Sequence, residues 1–399
     1  MTTDIITTHF DYHSIDHNLL KLDILGHDDP TMIKTLEELI NSDAMDNKYD
    51  GVNNVFKATD IPLDDPGVMG LFAGTEVLGI TPEDIDGCPL GCLGVPEFGT
   101  DFVIQMVIDT KPKTLSDLIR ISGLSHGTDV WLNNAQTLIE EGKATISTAI
   151  CTRDDIMTYL INKGMDSEES FTIMERVRKG TVAKGKCKEW PEFKKDMAEH
   201  NVPDWYVWSC EQIKYMFPKA HAAAYVMMGW RVAWFKVHKP LAYYAAYFGI
   251  RASAFSYEIM CRGKERLDIA LTELLKTPKD QQTKKDQDTI RDGRIAQEMY
   301  ARGFEFMPID IYKAKARECQ IIDGKIMPPL SSVEGLGDKA CEQVEEAAKH
   351  GPFTSLENFR NQAKVSKTNV DKMVELGILT GLPETDQLTF DFFMAQSQV

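Results

Sequence analysis

The 399-residue chain is short of closely spaced cysteine pairs, long apolar runs and positive charge. Its eight cysteines are scattered. The nearest two, Cys88 and Cys92, form a lone C-x3-C with no second pair at ligand spacing, so a structural zinc site is not expected. Scattered thiols with no signal peptide fit a reducing cytoplasm, and localisation is read as cytoplasmic. The most apolar stretch, Ala222 to Ile250, is interrupted by Arg231, Lys236, Lys239 and Pro240. It therefore reads as buried helices, with no membrane partner. No long internal repeat occurs. The net charge of −17 argues at first sight against nucleic acid. The cations are uneven, however. They gather between Arg176 and Lys195 and again between Lys276 and Arg294, so one positive groove remains open to a DNA-binding protein.

What is present is a chain 43% hydrophobic, enough for two or three packed domains. The run Asn18 to Leu25 reads as a strand, broken by Gly26. A helix start comes next, with Asp29 at the N-cap and Pro30 at the first helical position. Residues 46 to 66 read as a loop. Downstream, helical patterns recur. Leu132, Ala135, Leu138 and Ile139 share a face, as do Ile156, Leu160 and Ile161, and Asp166 with Glu169 resembles a capping box. Lys276 to Gln287 reads as a hydrophilic, mobile linker, Pro328 to Leu382 as a small helical module, and the end as an acidic, aromatic tail.

Four constellations carry chemistry. Asp23 is a carboxylate inside an apolar run. It is either an edge residue in a salt bridge or a Mg²⁺ ligand, since hard oxygens on a strand suit that ion. The run IKYMFPKAHAAAY, Ile213 to Tyr225, places Tyr215, Lys219 and His221 around Pro218. Either these groups converge on an anion at a helix start or they belong to an ordinary buried helix with a solvated lysine. Ser125 and His126 in GLSHGTDVW, and Arg153 before the next helix, are weaker signals of the same kind. In VEGLGDKACEQV, Gly335, Gly337 and Lys339 have the pattern of a helix-hairpin-helix, whose glycine turn lets backbone N–H groups approach a phosphate. A purely structural hairpin is the alternative. Ser366 to Leu379 reads as a second, degenerate hairpin. In QLTFDFF, Gln387, Leu388, Phe390 and Phe392 either dock as an extended peptide into an apolar pocket or pack on their own domain.

These pieces stand in a familiar order. The runs TTHFDYHSIDHNLLKLDILGHDDP, DDPGVMGLF, VPEFGTDFV, ISGLSHGTDVWLNNAQ, CTRDDIMTYLI and IKYMFPKAHAAAYV resemble the C-terminal region of the PolC-type DNA polymerase III alpha subunit, a C-family replicative polymerase. The resemblance covers nearly the whole chain. It implies an α+β, mostly helical fold. Residues 1–64 would end a mixed-sheet palm, residues 65–260 would form the fingers, and residues 261–327 would be a linker with connecting helices. Residues 328–383 would form a helix-hairpin-helix region on duplex DNA, and residues 384–399 a clamp-binding tail.

The resemblance also implies roles. Asp23 corresponds to the third catalytic aspartate of the palm. Arg153, Lys219 and His221 would neutralise the triphosphate of an incoming dNTP, Tyr215 would stack near its base or sugar, and Ser125 and His126 would join that pocket. Gly335, Gly337 and Lys339 would hold the primer-template duplex. Gln387, Leu388, Phe390 and Phe392 would anchor a sliding clamp, with phenylalanine where the family has leucine. The implied chemistry is two-metal phosphoryl transfer with two Mg²⁺ ions. The family's D-x-D pair is expected upstream of Met1, so the chain is expected to need the missing N-terminal half for activity. A non-catalytic remnant or accessory protein that binds DNA and the clamp is the alternative. Relative to the family pattern, loops near residues 46–59 and 184–188 are longer.

Overall fold

Apolar residues at three- and four-residue spacing, bounded by side-chain caps, dictate a mostly helical protein, and helices dominate what is observed. The computed structural model describes residues 9–11, 14, 15, 17–20, 22, 26–42 and 55–386. Among these, one two-stranded antiparallel sheet occurs, pairing Gln320–Ile322 with Lys325–Met327 in the register Ile321 to Ile326. The expected strand at Asn18 to Leu25 falls partly outside the described residues, and its described members, 18–20 and 22, carry no strand. The described residues among 1–64, where the end of a mixed-sheet palm is expected, likewise carry helix and turns but no strand.

The organising element is the helix Lys219–His238, which packs against the helices Asp28–Ile40, Leu115–His126 and Pro240–Ala246. Pro218 serves as its N-cap in extended conformation, because proline lacks the N–H that an interior helical position requires. Val226, Trp230, Ala233 and Phe235 form its buried side, and the Trp230 indole donates to Pro62 O at 2.8 Å. Gly229 lets a loop come close: a Cβ there would stand 2.8 Å from Pro96 O.

One charge on this helix is wholly buried. Lys236 donates to Gly91 O at 2.7 Å, to Leu93 O, and to Glu298 Oε2 at 2.9 Å, while Tyr244 donates to Glu298 Oε1 at 2.7 Å. An unpaired buried ammonium would cost several kcal/mol, so this set of partners is what permits it. Lys236 thereby ties the Gly91–Leu93 loop to the helix Lys284–Ala301, which carries Glu298. That loop leads directly to Pro96 and Glu97.

Several local expectations need correction. The first helix is Asp28–Ile40 with His27 as N-cap, and Asp29 lies inside it. Asp29 is buried because its carboxylate turns to Arg251 at 2.6 Å and His27 at 3.1 Å. Leu132 does not join the Ala135 and Leu138 face. The backbone leaves helical geometry at Leu132 and Asn133, and Leu132 is 51% exposed. Ile161 is also exposed, whereas Ile156 and Leu160 are buried. Asp166 caps Ser167–Arg178, accepting from Glu168 N and Glu169 N, but the capping box is only half formed, because the Glu169 side chain turns to Asp196 instead. Part of the Lys276–Gln287 stretch is ordered as a helix from Lys284, started by a capping box between Thr283 and Asp286. No helix among the described residues is long and apolar enough to cross a membrane.

Candidate nucleotide and DNA sites

Two helix starts meet at the candidate site. Arg153 opens the helix Arg153–Asn162 and Lys219 opens Lys219–His238. Their backbones are cross-linked, since Arg153 N donates to Phe217 O at 3.2 Å and Lys219 N donates to Asp154 Oδ2 at 2.6 Å. Asp155 secures the first helix from below: its Oδ2 accepts from Cys151 N at 3.1 Å and Thr152 N at 2.8 Å, and its Oδ1 lies 3.6 Å from the Arg120 guanidinium. Neither the Lys219 ammonium nor the Arg153 guanidinium has an ion-pair partner among the described residues, and Lys219 is exposed. In a protein of net charge −17, two unpaired cations at converging helix starts form a local anion-attracting spot.

A run of rings borders that spot. Tyr215, 44% exposed, meets Phe217 edge-on at 5.1 Å. Phe217 stacks on His221 at 4.9 Å, His221 contacts Tyr225 at 4.6 Å one helical turn on, and Tyr225 reaches His27 at 4.8 Å. Tyr215 is held by a two-residue bridge to Thr128, with Thr128 N donating to Tyr215 O at 2.9 Å. That bridge brings GLSHGTDVW beside IKYMFPKAHA, although the two runs lie far apart in sequence.

His126 reaches the same region from the end of the helix Leu115–His126, with its ring 5.7 Å from both Phe217 and His221. Its Nε2 lies 3.0 Å from Glu97 Oε2, and Ser122 Oγ donates to the same oxygen at 3.3 Å. Glu97 has φ +72, a left-handed backbone that glutamate rarely adopts, and such strain gathers at functional sites. Burial raises the Glu97 carboxyl above its ordinary pKa, opposed by the Ser122 hydrogen bond. Burial lowers the pKa of His126, and burial together with the charge of His126 lowers that of His221. Both imidazoles are therefore biased to the neutral form. His126 Nδ1 is buried without a hydrogen-bond partner. Ser125 is half-buried and donates to Ser122 O at 2.9 Å, within its own helix.

The structure thus brings Arg153, Tyr215, Lys219, His221 and His126 into one neighbourhood, with Ser125 on the adjoining helix. Sequence reasoning missed Glu97, Ser122, Asp154 and Asp155. Glu97 was present in VPEFGTDFV, but only its backbone conformation and its contact with His126 single it out. Asp23 lies outside the described residues. Among those that are described, no group of three or more His, Cys, Asp or Glu side chains could hold a metal ion. Cys88 and Cys92 are buried thiols donating to Leu90 O and Phe98 O, and burial pushes the Cys92 thiol up to about 12.

At the other end, Gly335 has φ +86, which glycine tolerates without cost, and Gly337 is the N-cap of the helix Asp338–Ala348. A Cβ at either position would meet nothing within 4 Å, so the space over this turn is open to solvent. Lys339 sits exposed in the first helical turn, where N–H groups lack helical acceptors. The helices Leu356–Ala363 and Lys367–Glu375 complete the module, the latter capped by Ser366. Gln387, Leu388, Phe390 and Phe392 lie outside the described residues.

The fold defines a class: a large helical module followed by a smaller helical one with an open glycine turn. Residues 29–201 match the model of the bacterial DNA polymerase III alpha subunit finger domain, and residues 303–387 match the helix-hairpin-helix motif. The chain is 50% identical over 387 residues to a "DNA polymerase III PolC-type" of Caldanaerobacter subterraneus subsp. tengcongensis, covering 97% of this chain and 26% of that relative. It is also 50% identical over 390 residues to the protein of the same name from Streptococcus pyogenes serotype M5, again covering 97% of this chain and 26% of the relative. The chain belongs to the PolC-type DNA polymerase III family, a family of DNA-directed DNA polymerases, and spans about a quarter of the length of these relatives.

Proposed function

We propose that this chain serves template-directed DNA synthesis by holding the incoming dNTP and the primer-template duplex. The observation that carries this reading is the meeting of Arg153 and Lys219 at two cross-linked helix starts, both cations unpaired, beside the exposed Tyr215 ring. A triphosphate would supply counter-charge to the two free cations, and Tyr215 offers a face to the base or sugar. His221, biased neutral, can donate to a phosphate oxygen through one ring nitrogen, while His126, whose Nε2 is taken by Glu97, holds its ring against His221 and Phe217. In the family reading, two Mg²⁺ ions would supply positive charge at the primer hydroxyl and the pyrophosphate. Asp23 is the ligand this chain would offer to those ions. The described residues hold no donor set for them, so what those residues contribute is binding, charge and orientation.

The open turn at Gly335 and Gly337, with Lys339, suits a duplex phosphate, and the Gln387–Phe392 segment suits a sliding clamp. Synthesis would draw on the remaining part of the polymerase, in a cytoplasmic setting. Calorimetric titration of the chain with dATP should give saturable binding that weakens at least tenfold in Lys219→Ala. An equally negligible signal from wild type and variant would overturn this reading and favour a DNA- and clamp-binding remnant. Primer extension by the isolated chain should be absent, and robust synthesis by it would overturn the dependence on further parts.

A further inference from the structure

The cation-rich turn between the helices Ser167–Arg178 and Trp190–Glu199 has no part in the nucleotide site. From Arg176 to Lys195 the chain carries eight cations against two carboxylates, inside a protein of net −17. Five of those cations are engaged. Arg176 pairs with Glu189, Arg178 and Lys179 with Glu175, Lys194 with Glu211 and Lys195 with Glu199. The other three, Lys184, Lys186 and Lys188, are exposed and have no ion-pair partner among the described residues.

Their backbone is fixed. Lys184 N donates to Gly180 O at 3.1 Å, Gly185 N to Val182 O at 2.8 Å and Lys186 N to Thr181 O at 2.9 Å. The turn is also seated on the segment that carries Tyr215. Met216 N donates to Arg178 O at 3.2 Å, and a Cβ at Gly180 would stand only 2.3 Å from Lys214 O. Within this turn, Ala183 lines a notch of about 310 Å³ together with Leu132, Asn133, Gln212 and Lys214. Leu132 is 51% exposed, and Asn133 has a left-handed backbone at φ +56. The two acids at the notch are already neutralised, Asp129 by Lys214 at 2.7 Å and Glu211 by Lys194 at 3.2 Å.

An apolar residue for a base face, two carboxamides for base edges and three free ammoniums for phosphates match the chemistry of one nucleotide stretch. We propose that the notch and its lysine turn hold an unpaired base and neighbouring phosphates of single-stranded DNA, the template just ahead of the nucleotide site. That the strand is a template rests on the function proposed above. The surface itself rests on the lysines and the notch.

The test is fluorescence anisotropy on the full 399-residue chain with a labelled dT12 strand and an abasic strand of equal length. The K184Q/K186Q/K188Q variant should bind dT12 at least tenfold more weakly at low salt. Its log–log salt slope should flatten by about 2, from roughly 0.7 per phosphate contact on single strands. Leu132→Ala should abolish the wild type's preference for dT12 over the abasic strand. Neither change should alter dATP affinity or the urea unfolding midpoint. An unchanged dT12 affinity in the triple variant, equal binding of both strands by wild type, or equal competition by poly-glutamate would overturn the proposal. If strand binding behaves as expected while wild type fails to bind dATP, the nucleotide reading fails and this surface stands.

Discussion

Replacing Lys236 by Met removes one charge from a set that has no access to water. Glu298 keeps only the Tyr244 hydroxyl as a close donor, and Gly91 O loses its Lys236 donor. Stranding one partner of a buried pair costs about 3–5 kcal/mol. The orphaned carbonyl adds roughly 1–3 kcal/mol unless water enters. Because the loss of Lys236 also releases the Gly91–Leu93 loop, Glu97 should lose its fixed distance to His126. The assay is urea denaturation followed by circular dichroism on wild type, Lys236→Met and the double variant Lys236→Met/Glu298→Leu. The single variant should lose about 4–8 kcal/mol from the two effects together, and the double variant should recover most of the charge part, since an apolar pair leaves no charge stranded. A single-variant loss below about 1 kcal/mol, or no recovery in the double variant, would refute the reasoning.

Other outcomes rest on the same geometry. Burial raises the Glu97 pKa, so ionised Glu97 destabilises the fold: the stability is full below the unfolded carboxyl value of about 4.3 and falls as pH rises through the folded one. Glu97→Gln should therefore be more stable than wild type at pH 7, with the gap closing toward pH 4 in urea titrations, yet bind dATP more weakly as His126 loses its charged partner. Gly337→Ala should leave the unfolding midpoint nearly unchanged, because a Cβ there meets nothing, but should weaken duplex binding in anisotropy measurements. Gly335→Val should in addition lose about 1 kcal/mol or more in a urea melt from its left-handed backbone. Lys339→Ala should weaken duplex binding and reduce the salt slope by about 0.9, one phosphate contact.

Much of this was legible in sequence. The helix Lys219–His238 and its proline start can be read from Pro218 and the apolar run. The neighbourhood of Tyr215, Lys219 and His221 is expected because these residues are close in sequence. The meeting of Arg153 with Lys219 could not be read in that way. It depends on two long-range hydrogen bonds, one to the Phe217 carbonyl and one to the Asp154 carboxylate, that no periodicity announces. Glu97 was invisible for a related reason: a strained φ is a property of the fold, and a glutamate near glycine looks ordinary in sequence. Asp29 misled because an aspartate before proline is a good N-cap, whereas burial against Arg251 outweighed that local preference. Leu132 misled because its apolar character fits the Ala135 face, and the backbone departs from the helix just there.

The central claim is that Arg153, Tyr215, Lys219 and His221 surround one bound dNTP. Photolabelling the chain with 8-azido-dATP and mapping the modified peptides tests it most directly. The label should fall on peptides containing Tyr215 to His221, decline with excess dATP, and drop several-fold in Arg153→Ala/Lys219→Ala. Labelling spread over the surface, insensitive to competing dATP and unchanged in that variant, would contradict the account.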